Sequence, residues 1–352
     1  MGLASLVVED LRCLRDVRIE PASGVNLISG PNASGKTSLL EAIFFLGRGR
    51  TFRAPRRQAA IREGADRLRV VGRLAGKEVI GVEVTPEDFH ARARGQAVAS
   101  LADLATLLPV QLVDPEIHRL VQEGPGERRR YLDWATFHVK HGFLPAWRDY
   151  QRALRQRNAA LRSGLSGASI GAWDDRLVET GEAIDRMREE VVTLLAKPVA
   201  DAGRRFLDAE ITLRYRPGHA ADQGLLEALH AGLDRDRRAG LTQVGPHRAD
   251  LVVGIGEHRA RGWVSRGQQK LVAAALVLGQ AAVLAPLWQG RGVLLVDDPA
   301  AELDAGRFGA LLGYIRDLPF QVFMTALGAE ALDVARPDRV FHVEQGNVHA
   351  VV

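Results

Sequence analysis

Short apolar runs open and close this chain, and a helical rhythm fills its middle. Near the start, Leu6–Val8, Val17–Ile19, Leu68–Leu74 and Glu78–Val84 read as strands, the last two joined by a turn near Gly76. Val25–Ile28, apolar except for Asn26, reads as a buried strand, and Ser38–Leu46 after it as an amphipathic helix. From about residue 242 to 352 the alternation of strand and helix returns, with four apolar residues in a row at Val293–Val296. In between, Trp147, Tyr150, Leu154 and Leu161 recur at spacings of three, four or their sum. Trp173, Leu177, Ile184, Met187, Val191 and Leu194 do the same, and Ser163–Gly171 between the two sets reads as a turn. The pattern predicts an α/β protein with a discontinuous lobe, residues 1–115 and 242–352, and an inserted helical lobe, residues 116–241. That insert carries an antiparallel helical hairpin, whose aromatic stripe reads as buried seam rather than base-stacking platform.

Three segments on this frame carry chemistry. Gly30-Pro31-Asn32-Ala33-Ser34-Gly35-Lys36-Thr37, followed by Ser38, is a GxxxxGK[ST] phosphate loop, with a strand before it and a helix after it as the motif requires. Glycine lets backbone N–H groups close around a β-phosphate, and the helix N-terminus adds partial positive charge. Lys36 is then placed to bridge β- and γ-phosphates, and Thr37 to ligate Mg²⁺. The second segment, Val264-Ser265-Arg266-Gly267-Gln268-Gln269-Lys270, opens an alanine-rich helical stretch, Leu271–Leu284. Ser265, Gly267 and Gln268 thus sit at a second helix N-terminus, a potential anion site that alone reads equally as an ordinary N-cap. Third, Val293–Val296 delivers Asp297 to the carboxyl edge of a sheet, where α/β proteins place ligands. Asp297 is the expected partner of the metal held by Thr37, and Asp298 is placed to orient or deprotonate an attacking water.

In this order the segments resemble the ABC-type ATPase superfamily, and within it the RecF family of DNA-repair ATPases. Further stretches carry that resemblance across nearly the whole chain: Gly47–Arg53, Asp114-Pro115-Glu116, Gly124–Asp133, Tyr150–Asn158 and Gly245–Leu251. It implies a head with a P-loop sheet and an antiparallel β subdomain, binding ATP and Mg²⁺ and dimerising on ATP. Ser265 and Gly267 of one protomer would then read the γ-phosphate held by the other. It also implies recognition of gapped or junction DNA without base reading, RecO and RecR as partners, and loading of RecA. The chain departs from the superfamily in three places. Asp298 stands where Glu is usual, implying slow hydrolysis. No histidine occurs in Gln321–Thr325, leaving Thr325 as the substitute γ-phosphate sensor. Ala301, before Glu302-Leu303-Asp304, replaces the usual serine.

Composition changes this picture little. Only five of the 47 basic residues are lysine, against 43 acidic ones, and a net charge of +4 is a weak pointer to a polyanion. Arginines cluster at 128–130, at 148, 152, 155 and 157, and at 235, 237 and 238, as DNA contacts or as solvated helix faces. Asp234 and Asp236 among them read as salt-bridged surface. The single cysteine, Cys13, allows no internal disulfide and fits a cytoplasmic setting. No apolar run is expected to approach the roughly 18 residues of a membrane span. The 228 residues from Thr37 to Ser265 are too few for the long coiled coil of SMC-type proteins. Two readings compete with a DNA clamp. A transporter's nucleotide-binding subunit is disfavoured by the Gly245-Pro246-His247-Arg248 block, and an ATP-gated nuclease by the lack of an acidic metal centre.

Overall fold

Val25–Ser29 lies inside a six-stranded sheet ordered Asn347–Ala350, Arg339–Glu344, Val25–Ser29, Gln321–Ala326, Val293–Val296, Val110–Val113. All neighbours except the Asn347–Ala350 hairpin pair in parallel, so five strands end at one edge. The computed structural model describes residues 2–220, 222–299, 303–326 and 336–351. Glu302 and Ala301, named above, lie outside the described residues. Two units emerge, residues 1–117 with 285–352, and residues 118–284.

In the first unit a second, antiparallel sheet runs Leu14–Ile19, Leu3–Leu11, Leu68–Leu74, Val79–Val84, Phe89–Ala93, Gln96–Ala97. Helix Lys36–Arg48 packs against strands of both sheets. It is therefore buried on every side from Ser38 to Gly47, where an amphipathic helix was expected, because a sheet covers the face that would otherwise meet water. Leu39, Ile43 and Phe45 are fully buried there, each worth about 1.5–3 kcal/mol of apolar burial. Asn26 and Gln321, buried in this unit, hydrogen-bond to backbone groups. Asn26 bonds the backbone of Ala22, Gly24 and Val322, and Gln321 bonds Leu3 and Ala22, tying the two sheets together. In the Leu74–Val79 turn the left-handed residue is Lys77, at φ 66°, rather than Gly76.

The second unit holds the predicted hairpin, Phe143–Arg162 against Asp174–Leu207, about 30 and 51 Å long at 1.5 Å per residue. Ion pairs Lys140–Glu190, Arg176–Asp149 and Arg157–Asp174 run in opposite senses along the two helices, fixing them as antiparallel. Tyr150, Leu154, Leu177, Ile184 and Val191 form the seam. Leu194 does not: it is 48% exposed, because the buried stripe continues four residues after Val191, at Leu195, instead of three.

Three expectations need correction here. The unit is not wholly helical, since Ile211–Arg216 pairs antiparallel with Asp250–Ile255. That pairing draws residues 242–284 into this unit, whereas the sequence pattern puts the return to the first lobe at 242. One helix, Arg266–Trp288, is also apolar and long enough to span a membrane, with a mean hydropathy of 2.0 over an 18-residue window. It is a core helix, for 78% of that window is buried in the protein. Gly279 lets it approach Val199 closely, since an added Cβ would stand 2.9 Å from that residue's backbone nitrogen.

Candidate functional site

The phosphate loop leaves its strand at Ser29 in a conformation that glycine permits. Gly30 has φ 145°, where a Cβ would run into the Val343 carbonyl oxygen, and Gly35 has φ 117° at the N-cap of the helix. Ala33 is also left-handed, at φ 59°. Lys36 Nζ donates to the carbonyls of Gly30 and Pro31, each at 2.7 Å. Its pKa is lowered by burial, with the Asp298 and Asp297 carboxylates opposing that shift. Ser34 Oγ, buried, has no hydrogen-bond partner among the described residues.

Parallel pairing brings the ends of the other strands to the same edge. Asp297 Oδ1 accepts from Thr37 Oγ1 at 3.1 Å and from Thr325 Oγ1 at 2.8 Å, and Thr325 Oγ1 in turn accepts the Asp298 N–H at 2.7 Å. Burial raises the Asp297 pKa, the two hydroxyl donors hold it down, and the neighbouring Asp298 adds to the rise. Asp298 itself is left-handed, at φ 46°, a region that Asp and Asn enter more readily than Glu. Thr325 thus braces the Asp297 carboxylate and the Asp298 backbone.

These residues line a cleft of about 600 Å³ together with Asn32, Ser38, Arg12, Cys13, Arg53 and Pro115. Arg12 and Arg53 are pocket residues that the sequence did not single out for this site. Their organiser is Glu41, fully buried on the loop helix, which takes Arg12 in a two-pronged pair at 3.0 Å, Arg53 at 3.7 Å and the Thr51 hydroxyl. A Glu inside an apolar helix was the available signal, because a buried carboxylate demands partners. The cleft fits a nucleoside triphosphate. Amides and Lys36 offer positive charge, Ser34 offers a free hydroxyl, and Thr37 with Asp297 offers the oxygen pair that Mg²⁺ takes alongside phosphates and water.

Ser265, Gly267 and Gln268 belong to the second unit. There the Ser265 hydroxyl accepts from Gln268 N–H at 3.3 Å while Gln268 Oε1 accepts from Ser265 N–H at 3.0 Å, a reciprocal capping box at the start of Arg266–Trp288. Both Ser265 and Arg266 remain exposed.

Several arginines expected at a DNA surface are internal instead. Arg128 is buried and doubly paired with Asp250, at 2.8 and 3.1 Å, and Arg129 donates to the Ala249 carbonyl. Arg157, fully buried, pairs with Asp174 and Asp236 and donates to Thr242. Asp236 is accordingly core, not surface. Tyr150 meets His247 Nδ1 at 2.7 Å, and His247 Nε2 donates to the Thr242 carbonyl at 2.9 Å. Arg188, which the sequence offered no reason to single out, joins Asp133 to the Pro246 carbonyl. Three motifs far apart in sequence therefore close into one buried polar network. Arg130, Arg148, Arg152, Arg155, Arg235, Arg237 and Arg238 stay exposed.

The chain matches the RecF/RecN/SMC N-terminal domain model over residues 2–349. It is 42% identical to the DNA replication and repair protein RecF of Thioalkalivibrio sulfidiphilus, covering 99% of each chain. The RecF of Pseudomonas aeruginosa is 40% identical, with 99% of this chain and 97% of that one covered. Among solved structures, the recombination mediator protein RecF with ATP, of the RecFOR pathway, superposes with a TM-score of 0.89 at 25% identity, covering 100% and 98%. An Smc head domain from Pyrococcus furiosus, at 15% identity and a TM-score of 0.61, shares the fold over 99% of this chain and 96% of that one.

Proposed function

Because the chain belongs to the RecF/RecN/SMC N-terminal domain family, we propose that it works as an ATP-switched clamp on DNA in recombinational repair. Broadly, it is a DNA replication and repair ATPase of the RecF kind. The observation carrying the mechanism is the meeting, at one sheet edge, of the phosphate loop, the Thr37–Asp297 bond and Asp298.

ATP binds with its phosphates in the amides of Gly30–Thr37, and Lys36 exchanges the Gly30 and Pro31 carbonyls for β- and γ-phosphate oxygens. Thr37 and Asp297 would hold Mg²⁺, which when bound neutralises charge building on the phosphates. Asp298 orients the attacking water and takes its proton. Its shorter reach fits slow turnover. Ser265, Gly267 and Gln268 of a second protomer complete each site against the γ-phosphate, so two ATP molecules are closed between heads. ADP lacks the group they read, and the dimer loosens after hydrolysis; differential affinity for the closed state makes the nucleotide a switch. DNA binds through phosphate neutralisation and counterion release, without base reading. That a similar RecF is described with ATP in the RecFOR pathway supports RecO and RecR as partners; RecA loading at gapped DNA would be the outcome.

The test is sedimentation in saturating ATP with and without gapped duplex. Wild-type protein should dimerise with ATP and not with ADP, whereas Ser265→Arg should bind ATP and remain monomeric, its bulky cation filling the γ-phosphate approach. A dimeric Ser265→Arg protein would remove the model of a site completed in trans.

A further inference from the structure

Trp263 is the most exposed large hydrophobic side chain among the described residues, at 63%, and one of its faces is already covered. The His258 ring stacks on it with centroids 3.7 Å apart and planes inclined by 22°. The loop that carries it is held at both ends. Ala260, fully buried, donates its N–H to the Val253 carbonyl and accepts from Trp263 and Val264, and Val264 is buried again. Gly262, at φ 81°, turns the exposed stretch Arg261–Trp263 outward between those anchors.

Exposed arginines flank it in sequence. Arg259, Arg261 and Arg266 are exposed, and none has a carboxylate partner among the described residues, although Glu257 is close by in sequence. Apolar contact alone would account for an exposed Trp at a protein interface. Exposed guanidinium groups within four residues of a pre-stacked indole fit a strand with flat bases and phosphates better, since base stacking is tolerant of sequence and the arginines can take the backbone.

We propose that Trp263, backed by His258, is a stacking platform for an unpaired nucleobase, with Arg259, Arg261 and Arg266 holding the adjoining phosphates. The site would give the clamp a preference for single-stranded segments that phosphate contacts alone cannot supply. It rests on the DNA-binding reading above. An intact duplex offers no free base face, so only single-stranded or gapped DNA would engage it.

The experiment compares affinities of the full chain for a thymidine oligonucleotide, a gapped duplex and a blunt duplex of equal length. Trp263→Ala should weaken the first two roughly 5- to 100-fold, the range a lost base stack gives, and leave the blunt duplex within about twofold. Trp263→Phe should recover most of the loss, and Arg261→Ala should weaken the oligonucleotide while flattening its salt dependence by about 0.7 log unit. Adding the oligonucleotide without ATP should quench a fluorescence component that Trp263→Phe lacks. Unchanged oligonucleotide affinity in Trp263→Ala, or equal losses on single strand and duplex, overturns the platform and leaves the DNA clamp standing. Quenching of that component by ATP alone would assign the face to a nucleotide base instead and also overturn it. Absence of DNA binding by wild-type protein in any form would sink both readings.

Discussion

Thr325 Oγ1 lies 2.8 Å from Asp297 Oδ1 and donates to it, while accepting the N–H of Asp298 at 2.7 Å. Its hydroxyl, expected to read a γ-phosphate, also orients the Asp297 carboxylate and holds down its pKa, and it fixes the backbone of Asp298. Thr325→Val should leave Mg²⁺-free nucleotide binding intact and weaken the Mg²⁺-dependent part roughly 10- to 100-fold, as loss of a bond that orients a ligand does. Metal binding needs an ionised Asp297, whose pKa burial already raises. Affinity for Mg²⁺ should fall as pH drops through that raised value, and removing the Thr325 donor should move the fall to higher pH. Nucleotide titrations with and without chelator across pH check this; identical profiles in both proteins would count against it.

In the proposed mechanism Asp298 would act on water rather than metal, and its left-handed backbone is one that Asn also tolerates. Asp298→Asn should keep ATP binding and dimerisation while slowing hydrolysis about 10²- to 10³-fold, and its stay on DNA should lengthen. Wild-type turnover in this variant would pass the role to another carboxylate, such as Glu302 or Asp304.

Arg128 and Arg130 separate packing from binding. Removing Arg128 strands the Asp250 carboxylate, so Arg128→Ala should cost about 3–5 kcal/mol of stability, read by denaturant midpoint. Arg130 is exposed and, among the described residues, paired only with Glu127. Arg130→Ala should change stability by less than about 0.5 kcal/mol, and the salt slope of DNA binding by at most about one. A salt slope flattened by Arg128→Ala in a protein of unchanged stability would restore Arg128 as a DNA contact.

His247 is neutral in the fold, donating through Nε2 and accepting at Nδ1, and burial pushes its pKa down to about 4. An unfolded histidine takes a proton as pH falls below about 6.5, while the buried ring does not until about 4. Stability from this group is therefore complete above 6.5 and is lost as pH falls from there toward 4. His247→Gln should be less stable at pH 7.5, by roughly 1–3 kcal/mol, and should lose less between pH 7 and 5. Equal acid sensitivity in the two proteins would show that other groups govern this range.

Cys13 is exposed at the cleft wall, 3.7 Å from Ser38 Oγ. Saturating ATP should slow its alkylation by N-ethylmaleimide in proportion to the nucleotide-bound fraction. Lys36→Met, unable to hold the phosphates tightly, should be alkylated at one rate with or without ATP.

What the sequence alone determined is local. A phosphate loop is legible because glycines, Lys36 and Thr37 must follow one another to wrap a phosphate, and Val293–Val296 followed by Asp297 is legible because a buried parallel strand is an unbroken apolar run. The hairpin seam is legible from its period from Leu177 up to Val191, although Trp173, expected in it, is exposed. Tertiary structure decided what lies beyond the reach of spacing. Arginine clusters look alike in sequence whether they face water or Asp250 and Asp236, and only packing distinguishes Arg157, with no exposure, from Arg155 two residues before it. Glu41 gathers Arg12 and Arg53 across 29 and 12 residues because the loop helix packs against the antiparallel sheet, and Thr325 reaches Asp297 across 28 because neighbouring parallel strands end at one edge. Hydrogen bonds and ion pairs depend on distance in space, and a chain writes down only distance along itself.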